Sequence, residues 1–147
     1  MARDPAVTSR IMSAVKQSGT RPEMALRREL HKRGLRYRVS TNLTGKPDIV
    51  FSPARIACFV DGDRWHGNGW RNRGFKSFDD EFKHANSDYW KRKIIRNMHR
   101  DAAVTAALTA DGWKVIRLWA SDVERDVVAA ADLIELAVRA SHEDSGR

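Results

Sequence analysis

Cysteine is nearly absent. Cys58 is the single one in 147 residues, which excludes an intramolecular disulfide and any Cys-rich zinc cage. It lies inside the apolar run "IACFV" and reads as a core thiol. Long hydrophobic runs are missing too: no stretch approaches the ~18 apolar residues of a membrane span, and the opening "MARDPAVTSR" has no apolar signal core. The expectation is a soluble cytoplasmic protein with no membrane partner. Acidic charge is also scarce, with 19 Asp and Glu against 27 Lys and Arg, a net charge of +8. Such an excess points to a polyanionic partner, nucleic acid first and a membrane surface as the bland rival.

What is present suffices for one domain with a real core: the apolar share is 41%. The five tryptophans, Trp65, Trp70, Trp90, Trp113 and Trp119, exceed what a small core needs, so some are expected at the surface. Residues 1–19 are polar and basic and read as an arm or a loosely docked first helix, with the potential to touch DNA. A helix begins at "TRPEMALRRELHKRG", with Thr20 and Glu23 in capping-box spacing, Pro22 in the first turn and Gly34 as its stop. Ala25, Leu26 and Leu30 supply part of its inner face.

"LRYRV" alternates as a half-exposed strand does, and "DIVF" and "RIACFV" read as a hairpin of central strands. Residues 63–86 lack periodicity and form a loop long enough to be functional or mobile. The run from Ser87 to Gly112 reads as a long helix, "WKVIRLWA" as a further strand, and 121–141 as a last helix opened by a second capping box, Ser121 with Glu124. Residues 142–147 are expected to fray. The domain therefore spans 20–141, an α/β mixed sheet flanked by helices.

Asp48, Asp61, Asp63 and His66 crowd onto two short apolar segments, "GKPDIV" and "VDGDRWHG". Carboxylates at strand ends are costly to bury unless they meet an arginine, a backbone amide or a metal ion. The hairpin brings Asp48 and Asp61 side by side, where Mg2+ suits two carboxylates, waters and a phosphate. Turn capping accounts for either one alone. His66 offers an imidazole, the side chain suited to take a proton from water at neutral pH if something orients it. On the long helix Asp101 falls about 20° from Ile94, inside the apolar stripe, so it wants a donor. A His–Asp pair and a buried Asp–Arg bridge both satisfy it, and Thr105 lies in the same stripe. Glu23 either completes its capping box or reaches a metal-bound water.

The ordered run "RPEMALRREL…GLRYRV…GKPDIVF…RIACFVDGDRWHG…YWKRKIIRNMHRD…GWKVIRLW" resembles the very-short-patch-repair (Vsr) mismatch endonucleases of the restriction-endonuclease-like, PD-(D/E)XK fold, from about residue 8 to residue 121. The resemblance implies a bacterial, nucleoid-associated monomer that nicks one strand of double-stranded DNA 5′ of the T in a T:G mismatch, with Mg2+ as cofactor and Mn2+ as a substitute. It implies Asp48 and the Val60 carbonyl as metal ligands, His66 as general base, Asp101 as its orienting partner and Glu23 beside metal-bound waters. Met12, Trp65 and Trp90 match positions that enter or wedge the duplex.

There are departures. Asp61 stands where some relatives carry a second histidine, and could bind metal directly. Asp63 replaces the usual lysine, and Arg64 an aromatic wedge. The family's structural zinc positions fall on Asp63, Asn68, Trp70 and Ser121, which cannot form that site, so no structural zinc is expected. Arg64, Arg71, Arg73, Lys91, Lys93 and Arg96 are the candidate backbone contacts. A nickase of restriction or defence type, and a decayed DNA-binding module, are the alternatives.

Overall fold

The computed structural model describes residues 19–63, 66–72, 76–81 and 88–145. In chain order these form α1 (Arg21–Lys32), β1 (Ile49–Phe51), β2 (Ile56–Asp61), α2 (Gly69–Asn72), α3 (Phe78–Glu81), α4 (Asp88–Ala110), β3 (Lys114–Trp119), α5 (Ala120–Arg125) and α6 (Val127–Ser145). Met12, Arg64, Trp65 and Arg73, most of the expected arm and the Ser87 cap lie outside the described residues.

β1 and β2 pair antiparallel, with Ile49 opposite Cys58. β3 joins the other edge of β2 in parallel, Asp61 opposite Trp119. A parallel neighbour needs a crossover, and the segment running through α2, α3 and α4 supplies it.

Strand periodicity then sorts β2 by face. Ile56 and Cys58 pack with Leu26 and Leu30 of α1, Val123 of α5 and Ile134 of α6. Ala57 and Phe59 turn to the opposite face, under Leu108 and Val104 of α4. Both faces of β2 are thus covered, as its nearly continuous apolar run requires. Cys58 is wholly buried and unpaired, and burial pushes its thiol up to about 12, the state of an inert core residue. Among the described residues, no helix is long and apolar enough to cross a membrane.

The local readings fail in several places, and the loop expected over 63–86 holds the short helices α2 and α3. Residues 35–39 form no strand, only a bridge between Arg38 and Val50, because Ser40 takes a left-handed φ of 56° and turns the chain away. Neither capping box forms. Thr20 makes no side-chain cap bond, and Ser121 lies inside α5, its hydroxyl engaged elsewhere. The expected single last helix breaks at Asp126, whose N–H closes α5 on the Asp122 carbonyl at 3.1 Å and whose carboxylate accepts the Ala129 N–H at 3.0 Å and so opens α6. α6 then runs to Ser145, into the segment expected to fray.

Candidate active site

The apolar register of β2 ends at Asp61, on the face that α4 covers. Asp61 is only 8% exposed, and burial raises its pKa, opposed by His66 and Arg117. Its counter-charge is Arg117 of β3, whose Nη1 donates to both carboxylate oxygens at 3.2 and 3.1 Å. The same guanidinium lies 4.0 Å over the Phe59 ring, donates to Thr105 Oγ1 at 2.8 Å and to the Asp101 carbonyl at 3.1 Å. One arginine thereby joins β2, β3 and α4.

His66 follows β2 in a turn closed by its N–H to the Gly62 carbonyl at 3.1 Å. Its Nδ1 is hydrogen-bonded to Asp101 Oδ2 and lies 3.9 Å from Asp61 Oδ1. Gly67 makes the approach to α4 possible: its φ is +93°, and a Cβ there would meet Met98 Sδ at 2.5 Å. Asp61, His66 and Asp101 have ligating atoms within 4.8 Å of one another. They line a cavity of about 270 Å3 with Arg117, Met98, Leu118 and Trp119.

Asp48 belongs to a second cluster. Its Oδ2 accepts the Val60 N–H at 2.7 Å, and its own N–H donates to the Cys58 carbonyl at 2.9 Å. Burial first, then the neighbouring Glu23 carboxylate, push its pKa up to about 8 against the lowering effect of the Val60 N–H. Glu23, 1% exposed, reaches inward from the first turn of α1. Its Oε2 accepts the Gly19 N–H and pairs with Arg27 Nη2 at 3.3 Å, while its buried Oε1 has no hydrogen-bond partner.

Asp48 and Asp61, expected as a pair, take different polar partners: Asp48 meets an amide and Glu23, Asp61 meets an arginine, and repulsion from Asp61 adds to the rise in the Asp48 pKa. Asp101 makes the His–Asp pair, and Arg117 adds the arginine alternative at 3.8 Å.

Asp63, Asn68 and Ser121, three of the four positions matched to a zinc site, bond to one another. Asp63, 9% exposed, accepts the Ser121 N–H at 2.9 Å, the Ser121 hydroxyl at 2.5 Å and the Asn68 amide at 2.7 Å. These bonds tie both ends of the His66 turn to the start of α5.

The DNA-contact candidates fare unevenly. Arg71 pairs with Asp122 at 2.9 Å and Lys91 with Asp79 at 3.0 Å. Arg96 is exposed. Trp90 is half-buried outside both core clusters, edge-on to Tyr89 at 5.2 Å, with Lys93 Nζ 5.7 Å from its ring centre. Arg117 and Tyr89 escaped the sequence reading. Alternation along β3 puts Arg117 on the face of Val115, under α4, and that was the available signal.

A family model described as DNA mismatch endonuclease Vsr matches residues 2–72. The chain is 39% identical over 136 residues to Type II nicking enzyme V.NmeDIP of Neisseria meningitidis serogroup C, covering 92% of this chain and 88% of that one. It is 40% identical over 128 residues to Type II nicking enzyme V.NaeI of Lentzea aerocolonigenes, covering 83% and 72%. Against DNA mismatch endonuclease Vsr of Escherichia coli K12 it is 29% identical over 117 residues, covering 79% and 70%. The mixed sheet between helices, with its polar cluster at the end of β2, is the α/β restriction-endonuclease-like architecture, and the class is DNA endonuclease. The chain belongs to the Vsr family and nicks DNA.

Proposed function

We propose that the protein is a Mg2+-dependent mismatch endonuclease of the bacterial cytoplasm, acting as a monomer, that nicks one strand 5′ of the T in a T:G mispair. The observation that carries the reading is the His66–Asp101 hydrogen bond beside the Asp48–Glu23 cluster. The chemistry is attack of water on phosphorus with loss of the 3′-oxygen, leaving a 3′-hydroxyl and a 5′-phosphate.

The residues at Asp48 fit a divalent cation: a buried Glu23 oxygen without a partner and a carboxyl driven toward its neutral form both want positive charge. Asp61, His66 and Asp101 fit it less well, because Arg117 already supplies a cation to both carboxylates. Asp48, the Val60 carbonyl and, through water, Glu23 would hold the ion, which when bound neutralises charge on the scissile phosphate and the leaving oxygen. Asp61 stays with Arg117.

Asp101 accepts the Nδ1 proton of His66, leaving the Nε2 lone pair to take a proton from the attacking water. The departing 3′-oxygen is protonated from solvent. Trp90, with Met12 and Trp65, would wedge the weakened step, and Arg64, Arg71, Arg73, Lys93 and Arg96 would hold the backbone.

A second reading, a nickase acting on paired DNA, has support in the relatives named type II nicking enzymes. Duplexes carrying T:G, other mismatches or no mismatch, incubated with Mg2+ and either wild type or Asp48→Ala, test both. Nicking of T:G duplex by wild type alone is the expected result. Equal cutting of paired and mismatched duplexes would end the mismatch assignment, and binding without cutting by wild type would end the catalytic one.

A further inference from the structure

The outer side of α1 carries a groove of about 480 Å3 in which Arg27, Arg28, His31 and Lys32 stand over a floor of Met24 and Tyr37. No lining residue is acidic. Arg28 and Lys32, and Arg27 and His31, are four apart on one helix, so each pair of cationic positions repels when charged. The helix dipole favours cations in the last turn, which covers His31 and Lys32 but leaves Arg28 unexplained.

Elsewhere on α1 the protein neutralises its own charge. Arg33 is held by Glu29 at 3.1 Å, Asp132 at 2.7 Å and Glu135 at 3.1 Å. Arg28, His31 and Lys32 have no acidic partner among the described residues. Arg27 is the link to the site: its Nη2 reaches Glu23, and its buried Nε has no hydrogen-bond partner. His31 is eight residues beyond Glu23, a rise of about 12 Å along the helix. At 3.4 Å per nucleotide that is about three nucleotide steps.

We infer that this groove is a phosphate-backbone site for the substrate DNA strand, continuous with the Asp48–Glu23 cluster through Arg27. The cations neutralise phosphates, while Met24 and Tyr37 give the sugar edges an apolar floor. The site positions the strand without reading its sequence. It rests on DNA as substrate and not on the choice of mispair.

The test is the salt dependence of binding, in EDTA, to T:G and fully paired duplexes. Arg28→Gln/Lys32→Gln is compared with Arg125→Gln/Arg139→Gln, which removes the same charge from arginines that already have acidic partners. The groove variant is expected to weaken both duplexes alike and to flatten the plot of log affinity against log salt by about 1 per cation, about 2 in all. The control should keep the wild-type slope. An unchanged slope in the groove variant would overturn the inference and leave the groove to an acidic protein partner. Equal flattening in both variants would also overturn it, because net charge would then be the cause.

Discussion

Arg117 on β3 holds both carboxylate oxygens of Asp61 on β2, 56 residues earlier, and also reaches Thr105 and the main chain of Asp101 on α4. A part-buried ion pair of this kind costs most when one half is removed. Arg117→Met should therefore lose about 3 kcal/mol of stability in urea unfolding. Asp61→Asn in the same chain should restore part of it, since the uncompensated anion is gone. If the double variant is no more stable than Arg117→Met, the pair is not what joins these elements.

Asp101→Asn keeps the shape of the His66 contact but no longer accepts the Nδ1 proton as an anion. A wrong tautomer in a comparable His–Asp pair costs about 10⁴ in rate. Single-turnover nicking of the T:G duplex should fall by about that factor, while the affinity measured in EDTA stays within about twofold of wild type. Combining it with His66→Ala should add little, because residues acting as one unit are not additive. A rate loss below about tenfold would remove Asp101 from the proton path.

The Asp63 clasp predicts opposite fates for fold and activity on metal removal. EDTA should abolish nicking yet leave the far-UV circular dichroism and the melting temperature of the protein near those of a zinc-treated sample. Asp63→Ala should lower stability by about 2 kcal/mol, because the Ser121 and Asn68 donors lose their acceptor. Unfolding by EDTA alone would show that a metal, and not the hydrogen bonds, holds the His66 turn.

Asp48 sets a pH dependence. Its pKa is about 8 in the folded chain, against about 3.9 unfolded, so the folded state keeps a proton that the unfolded state has lost in between. The associated stability is fully present below the unfolded value and disappears as pH rises through about 8. In EDTA the melting temperature should therefore fall from pH 5 to pH 8.5, about the span of that shift. Asp48→Asn should flatten the fall without removing it, because Asp61 is shifted in the same direction. A melting temperature that rises over this range would contradict the burial of Asp48.

Local pattern determined much of this protein. The inner face of α1 at Leu26 and Leu30, the central β1–β2 hairpin and the long α4 follow from hydrophobic period, which is set within a few residues. The same pattern marked Asp101 and Thr105 as polar intruders in an apolar stripe. Only the fold explained Thr105, as the acceptor for Arg117 Nε. In "WKVIRLWA" alternation puts that arginine on the face of Val115, but that α4 lies over this face is decided outside the strand.

Ser121 teaches the same lesson. Its spacing to Glu124 is right for a cap, yet Asp63 lies 58 residues away in sequence and takes its hydroxyl. Spacing records what a side chain can reach along its own element. Which carboxylate meets an arginine, which meets an amide and which meets an imidazole depends on how β3 and α4 close over β2, and long-range packing alone decides that.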